Sequence, residues 1–341
     1  MSTIPAQRIH WLDTLKAIGL FFVVLGHTEG ISEWLRMYIY SFHIPLFFFI
    51  TGYLVNIESL RGDLSSFILK YFRTLIHPYF YFGITTYLIW LCIGRFYGRD
   101  ILLAVPPLKP LVGMIYGTSI NHWLRHNVAL WFLPSLFCLH LIFYGLNRFF
   151  DGLCQVYSVI AVGLMGWAVC RLLPFRLPWG IEPACISIFF YATGYLLHRL
   201  AFNPKRIGIA GRCFMLSTTL SIHVCGLTVN GGVDVNHMFL GNLAAFYLTA
   251  FSGIAFWLLI SDTLPPTRLA ATMARGSMII FSFHSLSLSV FTFAAKTNYW
   301  LTFDFQHGAL LSSGIQSAMT VTLLAALSPW IKKAYRLPGH E

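Results

Sequence analysis

Ten windows of about twenty mostly apolar residues recur along the chain, near 12–30, 37–57, 76–94, 128–147, 153–173, 181–200, 207–228, 238–261, 275–295 and 308–330. Each is long enough, at about 1.5 Å per helical residue, to cross a hydrocarbon layer roughly 30 Å thick. Lipid offers no hydrogen bonds to an open backbone, so such windows are expected to be helices. With 57% hydrophobic and only 10% charged residues, 341 residues carry too little polar surface for a soluble globule. The expected fold is therefore an all-α polytopic membrane protein of about ten transmembrane helices. No soluble region of useful size remains outside the windows, which predicts a single integral membrane domain over 1–341.

The formal net charge is +11, yet the Lys and Arg residues lie singly between apolar windows rather than in a stripe with interleaved aromatics. That pattern argues against a nucleic-acid partner and for topology signals and anion contacts. An even number of crossings puts both termini on one side. Counted over the loops, fourteen Lys and Arg residues, from Arg8 to Arg336, share the N-terminal side, against eight on the other, which predicts N-in and C-in. The seven cysteines show no CxxC and no paired spacing, so they read as small apolar packers, with no metal site expected. The first window carries Asp13 and Lys16 and has no convincing cleavage site, so it is expected to stay as a membrane helix.

Two segments depart from plain spans. In SFILKYFRTLIH, Phe67, Leu69, Phe72, Leu75 and Ile76 alternate with Lys70, Arg73 and His77, which predicts an amphipathic interfacial helix running into the third window. ILLAVPPLKPLVGMIYG is apolar but contains Pro106, Pro107 and Pro110, which suits a surface lid or re-entrant piece better than a crossing.

The chemistry-bearing residues begin in the first window, WLDTLKAIGLFFVVLGH. Eleven helical residues bring Lys16 and His27 within about 20° of one face and about 16 Å apart in height. An ionisable stripe at that depth marks a functional site unless Lys16 merely reaches the interface and His27 bonds a neighbouring helix. Asp13 lies about 21 Å from His27 along the same helix, too far to orient its ring. A Ser-His-Asp triad within this helix is excluded.

Other candidates follow. His43 precedes Pro45 by two residues, where a missing backbone donor loosens the helix and frees a carbonyl. Arg61, Lys70 and Arg73 form a basic group near the membrane surface, suited to a phosphorylated ligand and equally to anionic headgroups. Trp131 in NVALWFLPSLF and Glu182 at a helix start are placed to meet a polar substrate, and Glu182 also suits the helix dipole. His284 in FSFHSLSLS is an interhelical hydrogen-bonder or a substrate contact. No GxSxG, HExxH, P-loop or GxGxxG occurs.

Six segments, RIHWLDTLKAIGLFFVVLGH, YIYSFHIPLFFFITGYL, KYFRTLIHPYF, WFLPSLF, PACISIFFYATGYLL and SMIIFSFHSL, resemble the acyltransferase-3 family of integral membrane O-acyltransferases, particularly its branch of fucose O-acetylases and bacterial exopolysaccharide acetylases. In that family a basic residue, commonly Arg, precedes a histidine in the first helix; Lys16 and His27 hold the matching positions. Lysine keeps the charge without the bidentate fork. Lys70 and Arg73 match a family pair of arginines with one substitution.

The resemblance implies that His27 is catalytic, with Lys16 and Asp13 beside it in the motif, and that Lys16, Arg61, Lys70 and Arg73 serve the acyl donor, acetyl-CoA. It further implies an acceptor hydroxyl on a lipid-linked or exported polysaccharide and a bacterial cytoplasmic membrane as the location; His43, Trp131, Glu182 and His284, read from the sequence itself, are the candidate contacts to that acceptor. The residues alone leave two other classes open: a proton-coupled transporter or flippase of a sugar or small acid, and a non-catalytic partner of an envelope synthase.

Overall fold

The computed structural model describes residues 9–97, 99–297, 309–335 and 337. Arg8 and Arg336, both counted in the charge bias, and the first residue of the tenth window lie outside the described residues. Sixteen α-helices follow one another: α1 (His10–Gly26), α2 (Glu33–Tyr40), α3 (His43–Leu54), α4 (Ile57–Arg61), α5 (Leu64–Tyr71), α6 (His77–Cys92), α7 (Arg99–Leu103), α8 (Leu108–Tyr116), α9 (Phe132–Phe149), α10 (Gly152–Leu172), α11 (Ile181–Arg199), α12 (Ile209–Asn230), α13 (Leu243–Thr263), α14 (Arg268–Arg275), α15 (Ser277–Thr297) and α16 (Ala309–Ala334). Among the described residues the only β-pairing is an isolated bridge, Asp234 to Phe239.

The all-α membrane architecture is as the apolar windows require. Among the described residues, eight helices or merged helix pairs are long and apolar enough to cross a bilayer, and α14 with α15, bent by 85° at their junction, makes a ninth if the pair is one span. α1, at 17 residues, rises about 26 Å and stands just short of an ordinary crossing. At the bend, a Cβ on Gly276 would lie 2.9 Å from Ser328 Oγ on α16, so the turn fits only a residue without a side chain. The Arg275 carbonyl there accepts from Lys332 Nζ at 2.8 Å.

The chain divides into two compact units, one of residues 1–47, 202–233 and 240–341, the other of 48–201 and 234–239. In the first unit α1 is the central rod, packed by α13, α14, α15 and α16 and touched by α2. Its buried face runs through Leu12, Leu15, Leu20, Val23 and Val24. α12 pairs with α13 and α15 with α16.

In the second unit α11 packs between α9 and α10 and meets α3 backbone to backbone. The α3–α11 contact rests on a repeat of eight residues: FFFITGYL at 47–54 and FFYATGYL at 189–196. A Cβ on Gly52 would lie 2.0 Å from the Tyr191 carbonyl oxygen, and one on Gly194 2.1 Å from that of Phe49. The glycine of each copy thus meets the third residue of the other, a reciprocal contact of the kind a local two-fold axis produces. Small residues allow this approach where lipid supplies no hydrophobic drive between helices.

The amphipathic segment is helical and continuous with the helix of the third window. Asp63 caps α5 by accepting from Ser66 N at 3.0 Å, and a π turn over Phe72–Ile76 joins α5 to α6. Phe67, Leu75 and Ile76 are buried as the pattern predicts, whereas Leu69 and Phe72 are exposed. Tyr71, which the pattern passed over, is buried in their place, its ring stacked on His140 of α9 at 3.6 Å. The proline-rich segment is a surface piece, with α7 and α8 folded onto α6. Tyr79 and Tyr87 hydroxyls donate to the Met114 and Pro107 carbonyls at 2.6 and 3.1 Å.

Near this piece His126 packs edge-on against Tyr87, with both ring nitrogens buried and without a hydrogen-bond partner. Burial pushes its pKa down to about 4. The folded ring therefore stays neutral where an unfolded histidine gains a proton, so stability falls as pH drops from about 6.5 toward 4. Amide exchange across 99–116, corrected for intrinsic rates, is expected to quicken in that window, and His126→Leu to remove the dependence. Equal protection at pH 7 and 5 in the parent contradicts this account.

Candidate functional site

α1 ends where its apolar run meets His27, Thr28, Glu29 and Gly30. The last carbonyls of the helix are taken up by side chains: His27 Nδ1 lies 2.7 Å from Val23 O, and Thr28 Oγ1 donates to Leu25 O at 2.7 Å. A carbonyl oxygen only accepts, so the His27 proton sits on Nδ1 and the lone pair of the neutral ring belongs to Nε2. The ring is exposed at the helix end, 4.8 Å from His284 and 6.1 Å from Tyr40, centroid to centroid.

His43 and His284 are held in the same way. His43 Nδ1 lies 2.8 Å from Ile39 O, and His284 Nδ1 lies 2.7 Å from Phe281 O. Both rings are buried. The expected loosening near Pro45 is a two-residue break in the helical run, with α2 ending at Tyr40 and α3 starting at His43 inside one apolar span, Glu33–Leu54. This break sets the Tyr40 ring between two imidazoles, 5.0 Å from His43. Three imidazoles of one tautomer and a phenol thus gather in the first unit, able to accept and relay a proton.

Asp13 and Lys16 lie half-buried on α1, separated from His27 by the length of the helix. The structure does not gather them around the His27 ring.

In the second unit, Arg61, Lys70 and Arg73 are all exposed. Lys70 Nζ donates to Ser59 Oγ at 3.4 Å and lies 5.3 Å over the Tyr71 ring. α4 and α5 are fixed beneath them, because Tyr144 on α9 donates to Gly62 O at 2.8 Å and His140 holds Tyr71. The arrangement is a firm cationic surface suited to phosphate oxygens.

Trp131 and Glu182 meet in a small pocket of the second unit, with a cavity of about 10 Å³. The floor is a strained turn: Trp179 (φ 59°) and Gly180 (φ 61°) both adopt left-handed backbone just before α11. Gly180 O accepts from Ser135 Oγ at 2.8 Å, which fixes the turn. Asn236, from the loop closed by the Asp234–Phe239 bridge, reaches in and donates to Ser119 Oγ at 2.7 Å. In that loop the Asp234 carboxylate accepts from His237 Nδ1 and holds the imidazole above its usual pKa.

The acyltransferase-3 family, described as an acyltransferase domain, matches residues 9–330, nearly the whole chain. The chain belongs to this family. It is a multi-pass membrane acyltransferase. Comparison with curated proteins and with solved structures returns no significant match.

Several residues of these clusters escape a reading of the sequence. Tyr40 stands three positions before His43, a helical neighbour spacing that signals it in hindsight. Arg176 and Asn236 reach the Glu182 pocket from loops, where no periodicity marks them. Nor does sequence show that His43 and His284 stand in the unit of His27, and Trp131 and Glu182 in the other.

Proposed function

We propose that this protein is an O-acyltransferase that moves an acetyl group from acetyl-CoA to a sugar hydroxyl of a lipid-linked or exported polysaccharide precursor in a bacterial cytoplasmic membrane, with both termini inside. The observation that carries the reading is the 2.7 Å contact of His27 Nδ1 with Val23 O on an exposed ring, which assigns the proton to Nδ1 and the basic lone pair to Nε2.

A sugar hydroxyl is a poor nucleophile at neutral pH, and positioned proton removal supplies what it lacks. The hydroxyl gives its proton to His27 Nε2 as its oxygen attacks the thioester carbonyl. The tetrahedral adduct then expels the coenzyme thiolate, which takes the proton back from the imidazolium. The C–S bond breaks, the new C–O bond remains, and the histidine ends neutral. Tyr40 and His284, within reach of the His27 ring, steady the imidazolium while it exists.

The donor carries several phosphate charges, which suit Arg61, Lys70 and Arg73. Loss of one exposed cation from a binding surface costs mainly affinity. Arg73→Ala is expected to raise the apparent KM for acetyl-CoA about five- to twentyfold, with kcat within about threefold of the parent. Coincident donor saturation curves for parent and variant overturn the assignment. A transiently acylated His27 is the variant mechanism, and an acyl-protein trapped from labelled donor in the absence of acceptor distinguishes it from direct attack.

A further inference from the structure

The Glu182 pocket holds an unmatched acceptor. Glu182 is 1% exposed. Its Oε1 accepts from Leu177 N at 2.8 Å, but Oε2 is buried with no partner. A buried carboxylate oxygen left unpaired costs on the order of 1–3 kcal/mol or more, and native proteins rarely keep one without a reason. Glu182 lies in the first turn of α11, where the helix dipole favours an anion, and Arg176 lines the same pocket.

The other walls define what Oε2 awaits. Arg176 is already engaged by the Cys170 sulfur at 2.6 Å and by the His237 carbonyl, so it is steered away from closing an ion pair with Glu182. Trp131, 6% exposed, supplies an apolar wall, and Thr118 and Asn236 line the opening. The strained Trp179–Gly180 turn maintains the gap. This space has the size of a single hydroxyl and excludes a whole ring.

We propose that Glu182 is the anchor of a carbohydrate subsite: one hydroxyl of a neutral sugar donates to Glu182 Oε2, its carbon packs on Trp131, and the Asp234–Phe239 loop roofs the opening. The subsite selects neutral sugars, because a carboxylated sugar would set a second anion beside Glu182. It rests on the reading that the acceptor is a carbohydrate, and it is a binding element apart from the His27 chemistry.

The test uses the full-length protein in lipid nanodiscs. Binding of a panel of neutral methyl glycosides is measured by saturation-transfer NMR, and acceptor and donor KM are measured in the transfer assay. Glu182→Gln keeps the shape and the Leu177 contact but places a donor at one oxygen. It is expected to weaken glycoside binding and raise acceptor KM at least tenfold, with donor KM within twofold and the thermal midpoint unchanged. Should Glu182→Gln fail to accumulate, Asn236→Ala opens the roof and is expected to weaken glycoside binding about threefold.

A parent that binds glycosides through Glu182 but transfers no acyl group keeps the subsite and removes the enzyme reading. Transfer to sugar with unaltered acceptor KM in Glu182→Gln, or a parent that binds no glycoside, overturns the subsite. Equal occupancy by glycerol and by glycosides overturns it as well, since any small hydroxyl then suffices.

Discussion

His27→Ala is expected to lower acyl transfer by about 10²- to 10⁴-fold, the range of a lost general base, while the protein inserts and accumulates as the parent does. The second half of that expectation comes from the structure. His27 stands outside the buried face of α1, which is held by Leu15, Leu20, Val23 and Val24, and its loss removes a contact to a terminal carbonyl and the ring contacts to Tyr40 and His284. A helix-end contact of that kind is worth about 1 kcal/mol, too little to unfold the unit. The effect should fall on kcat more than on either KM. His27→Gln sharpens the result, because it can still cap Val23 but cannot take a proton at neutral pH. Parental turnover in either variant removes this histidine from the chemistry. His284→Ala is expected to be milder, since that ring acts through His27.

The largest structural effect is expected at the paired glycines of the α3–α11 contact. In Gly52→Ala and Gly194→Ala the new methyl would lie at 2.0 and 2.1 Å from a backbone oxygen, which no rotamer change relieves. The helices must separate, and overpacking of this kind costs about 1–3 kcal/mol or more. Each variant is expected to lose several degrees of thermal midpoint in detergent, or to fail to accumulate. The double variant should cost less than the two losses added, because the first methyl already parts the helices. Gly145→Ala is the control: a Cβ there meets nothing within 4 Å, so stability should hold or rise. Wild-type midpoints in both paired variants contradict the close packing.

Much of this was legible in the chain because lipid reduces the possibilities. Apolar windows predict helices wherever backbone groups have no other partner, and α9 to α13 follow the windows within a few residues. The interfacial helix was legible from its basic and apolar alternation, but Tyr71 was not. Its burial depends on His140, some seventy residues away, and on a π turn that shifts the face. The break before His43 was foreseeable from Pro45, although its extent was set by where Ser41 and His43 find partners: Ser41 Oγ donates to Tyr38 O and His43 bonds Ile39 O.

The candidate site divides the same way. His27 and Lys16 carry a motif within one helix, so spacing alone shows them. The gathering of His27, Tyr40, His43 and His284 joins α1, α2, α3 and α15, which only packing reveals. The Glu182 pocket draws on four separate stretches between Gly117 and Asn236, none with a period of its own. The eight-residue repeat escapes a reading of the sequence, and it gains its meaning from the reciprocal glycine contact.

Following the acyl group itself tests the central claim most directly. Purified protein in nanodiscs is given acetyl-CoA labelled in the acetyl group together with glycolipid from the host membrane, and label is counted in the extracted glycolipid. The account predicts alkali-labile label on the sugar from the parent protein, appearing with release of coenzyme thiol, and background counts from His27→Ala. Label that stays on the donor with the parent, or reaches the sugar equally well with His27→Ala, contradicts it.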